Sequence, residues 1–211
     1  MSGVLSLEDN RLRPWYPLVD VDFDVGSVYQ FGKFRIDDDL TDKSNIAART
    51  GFYLGTDMTF YISKRIGYGL KYNYRSLLDG DIRYQYLGPM VSVRFLERKQ
   101  SNHLFFNFSC GAAWMEQKNA PMQLNHWRPR IEMRASSFSG AIAIGYSFKL
   151  AKHVSVCVKT SCNIAYPNYL KIRDVEKYEL PSDLPYVPLD IDGYCHNMNT
   201  INLTAGFSFN K

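Results

Sequence analysis

The sequence predicts an all-β chain: eight antiparallel strands in up-and-down order, closed into a barrel whose bulky apolar faces point outward. Three observations predict it. Apolar and polar residues alternate with a period of two, as successive strand side chains do. The large residues share one face that carries no charge, while the other face is small or polar. Finally, the connections between the alternating segments are short and long by turns. The last stretch shows the first two most clearly: Ile201, Leu203, Ala205, Phe207 and Phe209 alternate with Thr200, Asn202, Thr204, Gly206 and Ser208. A water-soluble barrel would fill its inside with the first set and hydrate the second.

The elements follow in order. Segment 18–34 sets Val19, Val21, Phe23, Val25, Tyr29 and Phe31 against Asp20, Asp22, Asp24, Gly26 and Gln30. In 47–62, Phe52, Leu54, Met58, Phe60 and Ile62 oppose Tyr53, Gly55, Asp57, Thr59 and Tyr61. Segment 66–77 alternates Ile66, Tyr68, Leu70, Tyr72 and Tyr74 with Gly67, Gly69, Lys71, Asn73 and Arg75. In 83–96, Leu87, Pro89, Val91, Val93 and Phe95 oppose Gly88, Met90, Ser92 and Arg94, and Pro89, which has no N–H to donate, predicts a bulge or kink. Segments 103–116 and 135–150 carry Leu104, Phe106, Phe108 and Trp114, then Phe138, Ile142, Ile144 and Phe148, against mostly small partners. Segment 154–169 sets Val154, Val156, Val158 and Ile164 against Ser155, Lys159, Ser161 and Asn163, and 198–209 closes the set.

Hydrocarbon is the solvent that such faces fit, because a charge at a bilayer midplane costs about 2–4 kcal/mol on a barrel surface. The fold class is therefore a transmembrane β-barrel. The mean hydropathy of −0.28 does not oppose this, since an alternating strand averages to neutral. Each segment exceeds the roughly 9–11 residues needed to cross a bilayer at a tilt. Connections 63–65, 97–102 and 151–153 are short; 36–46, 117–134 and 170–197 are long, and only the one near 78–82 is short out of turn. Short turns on the periplasmic side and longer loops on the extracellular side are the topology of outer-membrane barrels. Aromatics sort to the two ends: Trp15, Tyr16, Phe60, Phe95, Phe148 and Phe209 near one, and Tyr72, Tyr74, Tyr84, Trp114, Tyr166 and Tyr169 near the other, as interfacial girdles require.

On residues 202–209 (NLTAGFSF), 86–95 (YLGPMVSVRF) and 145–148 (GYSF), the chain resembles the small eight-stranded outer-membrane barrels, the OmpX/OmpA-barrel superfamily and its outer-membrane β-barrel domain relatives. It departs mildly from their aromatic ending, since Phe209 is followed by Asn210 and Lys211. The resemblance implies a barrel over 18–211, a periplasmic N-terminal segment over 1–17 and a place in the bacterial outer membrane. It does not imply an activity. Met1-Ser2-Gly3 starts no secretory signal, so the expectation is that the signal has been removed and the numbering describes a mature or recombinant form.

A net charge of +4 without a Lys/Arg block gives no nucleic-acid footprint. The four cysteines, Cys110, Cys157, Cys162 and Cys195, have no CxxC or Cys/His metal spacing, and Cys157 and Cys162 point to opposite faces of one strand. No metal or cofactor is expected. The inward register collects an interior polar network of Asp20, Asp22, Asp24, Asp57, Lys71, Arg75, Arg94, Lys149 and Lys159, which is expected to neutralise itself in a closed plug. A turn centred on Lys64 sets Asp57 opposite Lys71.

No catalytic residues are assigned. The one His-x-Ser, His153-Val154-Ser155, falls at the periplasmic end with both side chains on one face. Candidate binding residues lie in the outer loops: His126, Trp127 and Arg128 in the third, and Tyr178, Tyr186 and Tyr194 in the fourth. The acidic Asp37, Asp38, Asp39 and Asp42 lack Ca²⁺-loop spacing. The expected role is a non-catalytic structural, accessory or binding barrel. Its expected partners are outer-membrane lipid and lipopolysaccharide, with a larger outer-membrane protein complex as a second candidate. The alternatives are a lipid A-modifying enzyme and a soluble lipocalin-like barrel, which would need its bulky faces inward.

Overall fold

The two-residue alternation becomes nine strands in the computed structural model, which describes residues 19–32, 49–77, 81–96, 102–121, 130–165, 169–174 and 198–210. They are β1 (Val19–Gln30), β2 (Thr50–Tyr61), β3 (Ile66–Leu77), β4 (Ile82–Leu96), β5 (His103–Pro121), β6 (Arg130–Ala151), β7 (Val154–Ala165), β8 (Tyr169–Asp174) and β9 (Thr200–Asn210). All neighbours are antiparallel, in the order β5-β4-β3-β2-β1-β9-β7-β6-β8. Pairing of β5 with β6 closes the ring, so eight strands form the barrel and no barrel edge is left to recruit another chain. The last strand seals against the first, Phe209 opposite Val21 and Ile201 opposite Tyr29.

Local chemistry sets the tight turn of β2–β3. Ser63 Oγ accepts hydrogen bonds from the N–H groups of Arg65 (3.3 Å) and Ile66 (3.0 Å), and Ile62 N–H donates to Ile66 O at 3.1 Å. The turn is symmetric about Lys64, so Phe60 meets Tyr68 and Asp57 meets Lys71, the register that the sequence predicts.

The bulky faces point outward. Phe23, Ile142, Leu203 and Phe207 are each more than half exposed, whereas inward neighbours such as Tyr53, Asp57, Asn73 and Asn202 have no accessible surface. The soluble, lipocalin-like alternative needs the reverse and is set aside on this observation. The interior is packed and polar, with Tyr53, Tyr61, Tyr84, Tyr86 and Phe105 filling the space that facing glycines leave. Gly145 shows why: a Cβ there would collide with the Phe105 ring and lie 2.7 Å from Lys159 Cβ.

Four features depart from expectation. Pro89 introduces no register shift; only the Gly88 and Pro89 rungs toward β5 are missing, and Leu87 and Met90 pair in the same register on either side. Next, β5 and β6 run on to Pro121 and from Arg130, so the expected loop 117–134 narrows to 122–129. Outward charge begins at Glu116 and Arg134, which ends the apolar pattern while backbone pairing continues past it. β8 was expected as loop. It pairs along the overhang of β6 beyond β7: Ala165 is the partner of Ser139 and Tyr169 of Ser136. Lastly, Tyr84 sits at the expected end but turns inward and is buried, since its register partner is the inward Arg75.

Candidate functional site: the interior ion network and the outer rim

Inward positions on four strands bring the predicted ions together. Lys71 Nζ donates to both carboxylate oxygens of Asp57, at 3.0 and 3.1 Å. Lys159 reaches the same cluster from β7, across the barrel. Its Nζ donates to Asp57 Oδ2 at 2.7 Å and lies 2.7 Å from Asp24 Oδ1, an ion contact without hydrogen-bond geometry. Asn107 adds a long donor to Asp57 Oδ2 at 3.4 Å. All four ions are buried. Charges taken this far from water need pairing and hydrogen bonds. Asp57 has both, whereas Asp24 has the ion contact alone, with neither carboxylate oxygen hydrogen-bonded among the described residues.

The turn end is held by Arg94. Its guanidinium pairs with Asp20 Oδ2 (3.3 Å), donates through Nε to Lys64 O (3.1 Å) and lies 3.4 Å over the Tyr61 ring, a cation–π contact. Its backbone N–H donates to Arg65 O at 2.7 Å, tying the β2–β3 turn to β4. At the loop end, Arg75 donates to Thr200 Oγ1 and Asn73 Oδ1, both at 2.7 Å, and Tyr84 Oη donates to Gln30 Oε1 at 3.0 Å. Asp22 is partly buried beside Asp20, against a polar cavity of about 10 Å³ that also touches Asn107 and Ser208. That is room for about one water. Within the described barrel, Asp20, Asp22, Asp24 and Asp57 balance Lys71, Arg75, Arg94 and Lys159 charge for charge.

A second feature lies outside the wall, where β4, β5 and β6 rise past the apolar belt. Registers align three rows: Leu87–Ala112–Phe138, then Gln85–Trp114–Ser136, then Arg83–Glu116–Arg134. The upper two rows line an open groove of about 640 Å³. Arg134 pairs with Glu116 at 3.0 Å.

No protein-family model matches the chain, and no curated protein matches it in sequence. Solved structures do match. Neisserial surface protein A superposes with a TM-score of 0.57 at 11% identity, over 92% of this chain and 97% of that one. The fold is that of the small outer-membrane β-barrels. The N-terminal β-barrel domain of Pseudomonas aeruginosa OprF matches with a TM-score of 0.49 at 10% identity (92% of this chain, 98% of that one). Ail, the attachment invasion locus protein of Yersinia pestis, matches at 0.43 and 12% (90% and 96%).

Within this barrel the predicted interior ions do not all converge. Lys149 keeps the inward register, opposite the buried Ser155, but is exposed, because it stands at the turn end of the wall, past the last β5–β6 rung at His103 and Ser147. His153 and Ser155 do not share a face: His153 is exposed in the turn and Ser155 is buried inside. Cys110 is exposed, Cys162 half-buried and Cys157 buried, and all three are free thiols. The loop candidates His126, Trp127, Arg128, Tyr178, Tyr186 and Tyr194 lie outside the described residues, as do Asp37, Asp38, Asp39, Asp42, Trp15, Tyr16, Tyr166, Cys195 and segment 1–17. Sequence reasoning missed the polar partners Tyr61, Asn107 and Thr200, and the rim row. Tyr61 and Asn107 were visible as inward residues, but their partners sit on strands far along the chain. The rim row was legible in principle as charge interrupting an outward register.

Proposed function

We propose that the barrel resides in a bacterial outer membrane and acts without catalysis, as a structural, accessory or binding protein. In this reading lipopolysaccharide and other outer-membrane lipid surround it. It works through its outer loops or by association with a larger outer-membrane complex. One observation carries the reading: a charge-free apolar belt encloses an interior in which Asp57, Asp24, Lys71 and Lys159 form one ion cluster, Asp20 pairs with Arg94, and Arg75 is held by Thr200 and Asn73. The belt calls for lipid, because an exposed apolar surface this continuous is not stable in water. The interior ions hold the wall together and leave no wide aqueous path, which argues against a porin.

Two measurements test this. Expressed with a secretion signal, the protein should fractionate with outer membranes and show heat-modifiable mobility; recovery as a soluble, detergent-free protein would refute the placement. Purified barrel incubated with lipopolysaccharide should leave its acyl pattern unchanged. Loss or transfer of an acyl chain would replace the non-catalytic reading with the lipid-modifying one. Co-purification in mild detergent would then identify a protein partner.

A further inference from the structure

The outward wall changes character abruptly on one sector of the barrel. On β4, β5 and β6 the outward side chains are apolar up to Leu87, Ala112 and Phe138. One rung higher stand Gln85, Trp114 and Ser136, and one rung higher again Arg83, Glu116 and Arg134. Register continues the top row onto β8, where Lys171 is the Cα partner of Arg134. The outward positions at the same end of the other strands are different: Tyr29, Phe52, Tyr74, Ile164 and Ile201 are all uncharged. Among the described outward strand positions at this end, guanidiniums therefore occur only on this sector.

We propose that this row binds the phosphate of an acylated lipid headgroup in the outer leaflet. The proposal rests on the outer-membrane reading above and specifies its lipid contact. Three features select this occupant. Guanidiniums present planar, forked donors that match phosphate oxygens. They stand four residues above the apolar rows, roughly 14 Å along the strand at about 3.4 Å per residue and about 10 Å in height at a strand tilt of about 40°, which carries them past the Trp114 row into the headgroup layer. Between them Trp114 is 42% exposed, an amphipathic ring at the depth where such rings settle. The groove of about 640 Å³ gives the headgroup a concave seat. Glu116 lies in the same row and holds Arg134 at 3.0 Å, so it competes with an incoming phosphate.

The test uses the full-length barrel in detergent, with native mass spectrometry reading occupancy by three probes: bisphosphoryl lipid A, its monophosphoryl form and inorganic phosphate. Bisphosphoryl lipid A should bind most tightly, the monophosphoryl form more weakly and inorganic phosphate not measurably. The double variant Arg83→Gln/Arg134→Gln should weaken lipid A binding by about tenfold or more, as loss of charge-assisted hydrogen bonds does. Glu116→Gln should tighten it, because both guanidiniums remain and the competing carboxylate is gone; this variant serves if the double variant fails to fold. Arg65→Gln, at the opposite turn, should change nothing. Equal binding by wild type and the double variant, or weaker binding by Glu116→Gln, would overturn the site. Inorganic phosphate binding as tightly as lipid A would reassign it to a free anion. Failure of the wild-type protein to enter membranes at all would strike the outer-membrane reading instead, and the fractionation experiment registers that separately.

Discussion

Replacing Lys159 by Met removes a side chain that joins β7 to β1 and β2 through the centre of the barrel. Lys159 Nζ stands 2.7 Å from Asp24 Oδ1 and 2.7 Å from Asp57 Oδ2. Asp57 would keep Lys71 at 3.0 Å and the weak donor Asn107. Asp24 would keep no ion partner within 4.0 Å among the described residues. Breaking a buried pair so that one charge is stranded costs about 3–5 kcal/mol. Lys71→Met is milder, since Asp57 still has Lys159; losing hydrogen bonds to a charged group costs about 1.5–3 kcal/mol. The structure thus predicts an order, with Lys159→Met more damaging than Lys71→Met. It also predicts a specific rescue: Asp24→Asn added to Lys159→Met should recover part of the loss by removing the stranded charge. Urea unfolding of the barrel in lipid vesicles, followed by tryptophan fluorescence, measures both. Equal or reversed costs would refute the reasoning, as would a double variant no more stable than Lys159→Met alone.

Other outcomes follow from the same packing. Adding Asp57→Asn to Lys71→Met should recover stability only in part, because Lys159 then loses one of its two carboxylates; full recovery in the same urea assay would mean that Lys159 does not depend on Asp57. Gly145→Ala should destabilise by about 1–3 kcal/mol through overpacking against Phe105 and Lys159, read as a lower urea midpoint. Leu203→Arg places a charge on the outward apolar face, at a side chain that is 60% exposed, and should cost about 2–4 kcal/mol of folding into bilayers, whereas Lys152→Gln in the exposed β6–β7 turn should be neutral. In planar bilayers the pure protein should show no porin-sized conductance, and large reproducible steps would mean that the ion cluster does not close the lumen.

Alternation in the chain by itself determined the sidedness of the wall. A period of two leaves only one choice of inward set, so once Ile201, Leu203 and Phe207 go to lipid, Asn202 and Thr204 must face the lumen. The same rule, with a short turn centred on Lys64, placed Asp57 opposite Lys71, because a tight hairpin carries register from one strand to the next. Closure was decided only in three dimensions. Lys159 and Asp57 are 102 residues apart on strands that are not neighbours, and nothing in the alternation says how far one wall is rotated or staggered against the opposite one. Lys149 shows the limit from the other side: its parity and register are inward, yet it stands past the last β5–β6 rung at the turn end and stays in solvent. The ends of β5 and β6, and β8 altogether, were likewise decided by tertiary structure. Backbone pairing is indifferent to whether an outward side chain is apolar, so a ladder can continue through Glu116 and Arg134 after the pattern that announces a membrane strand has stopped.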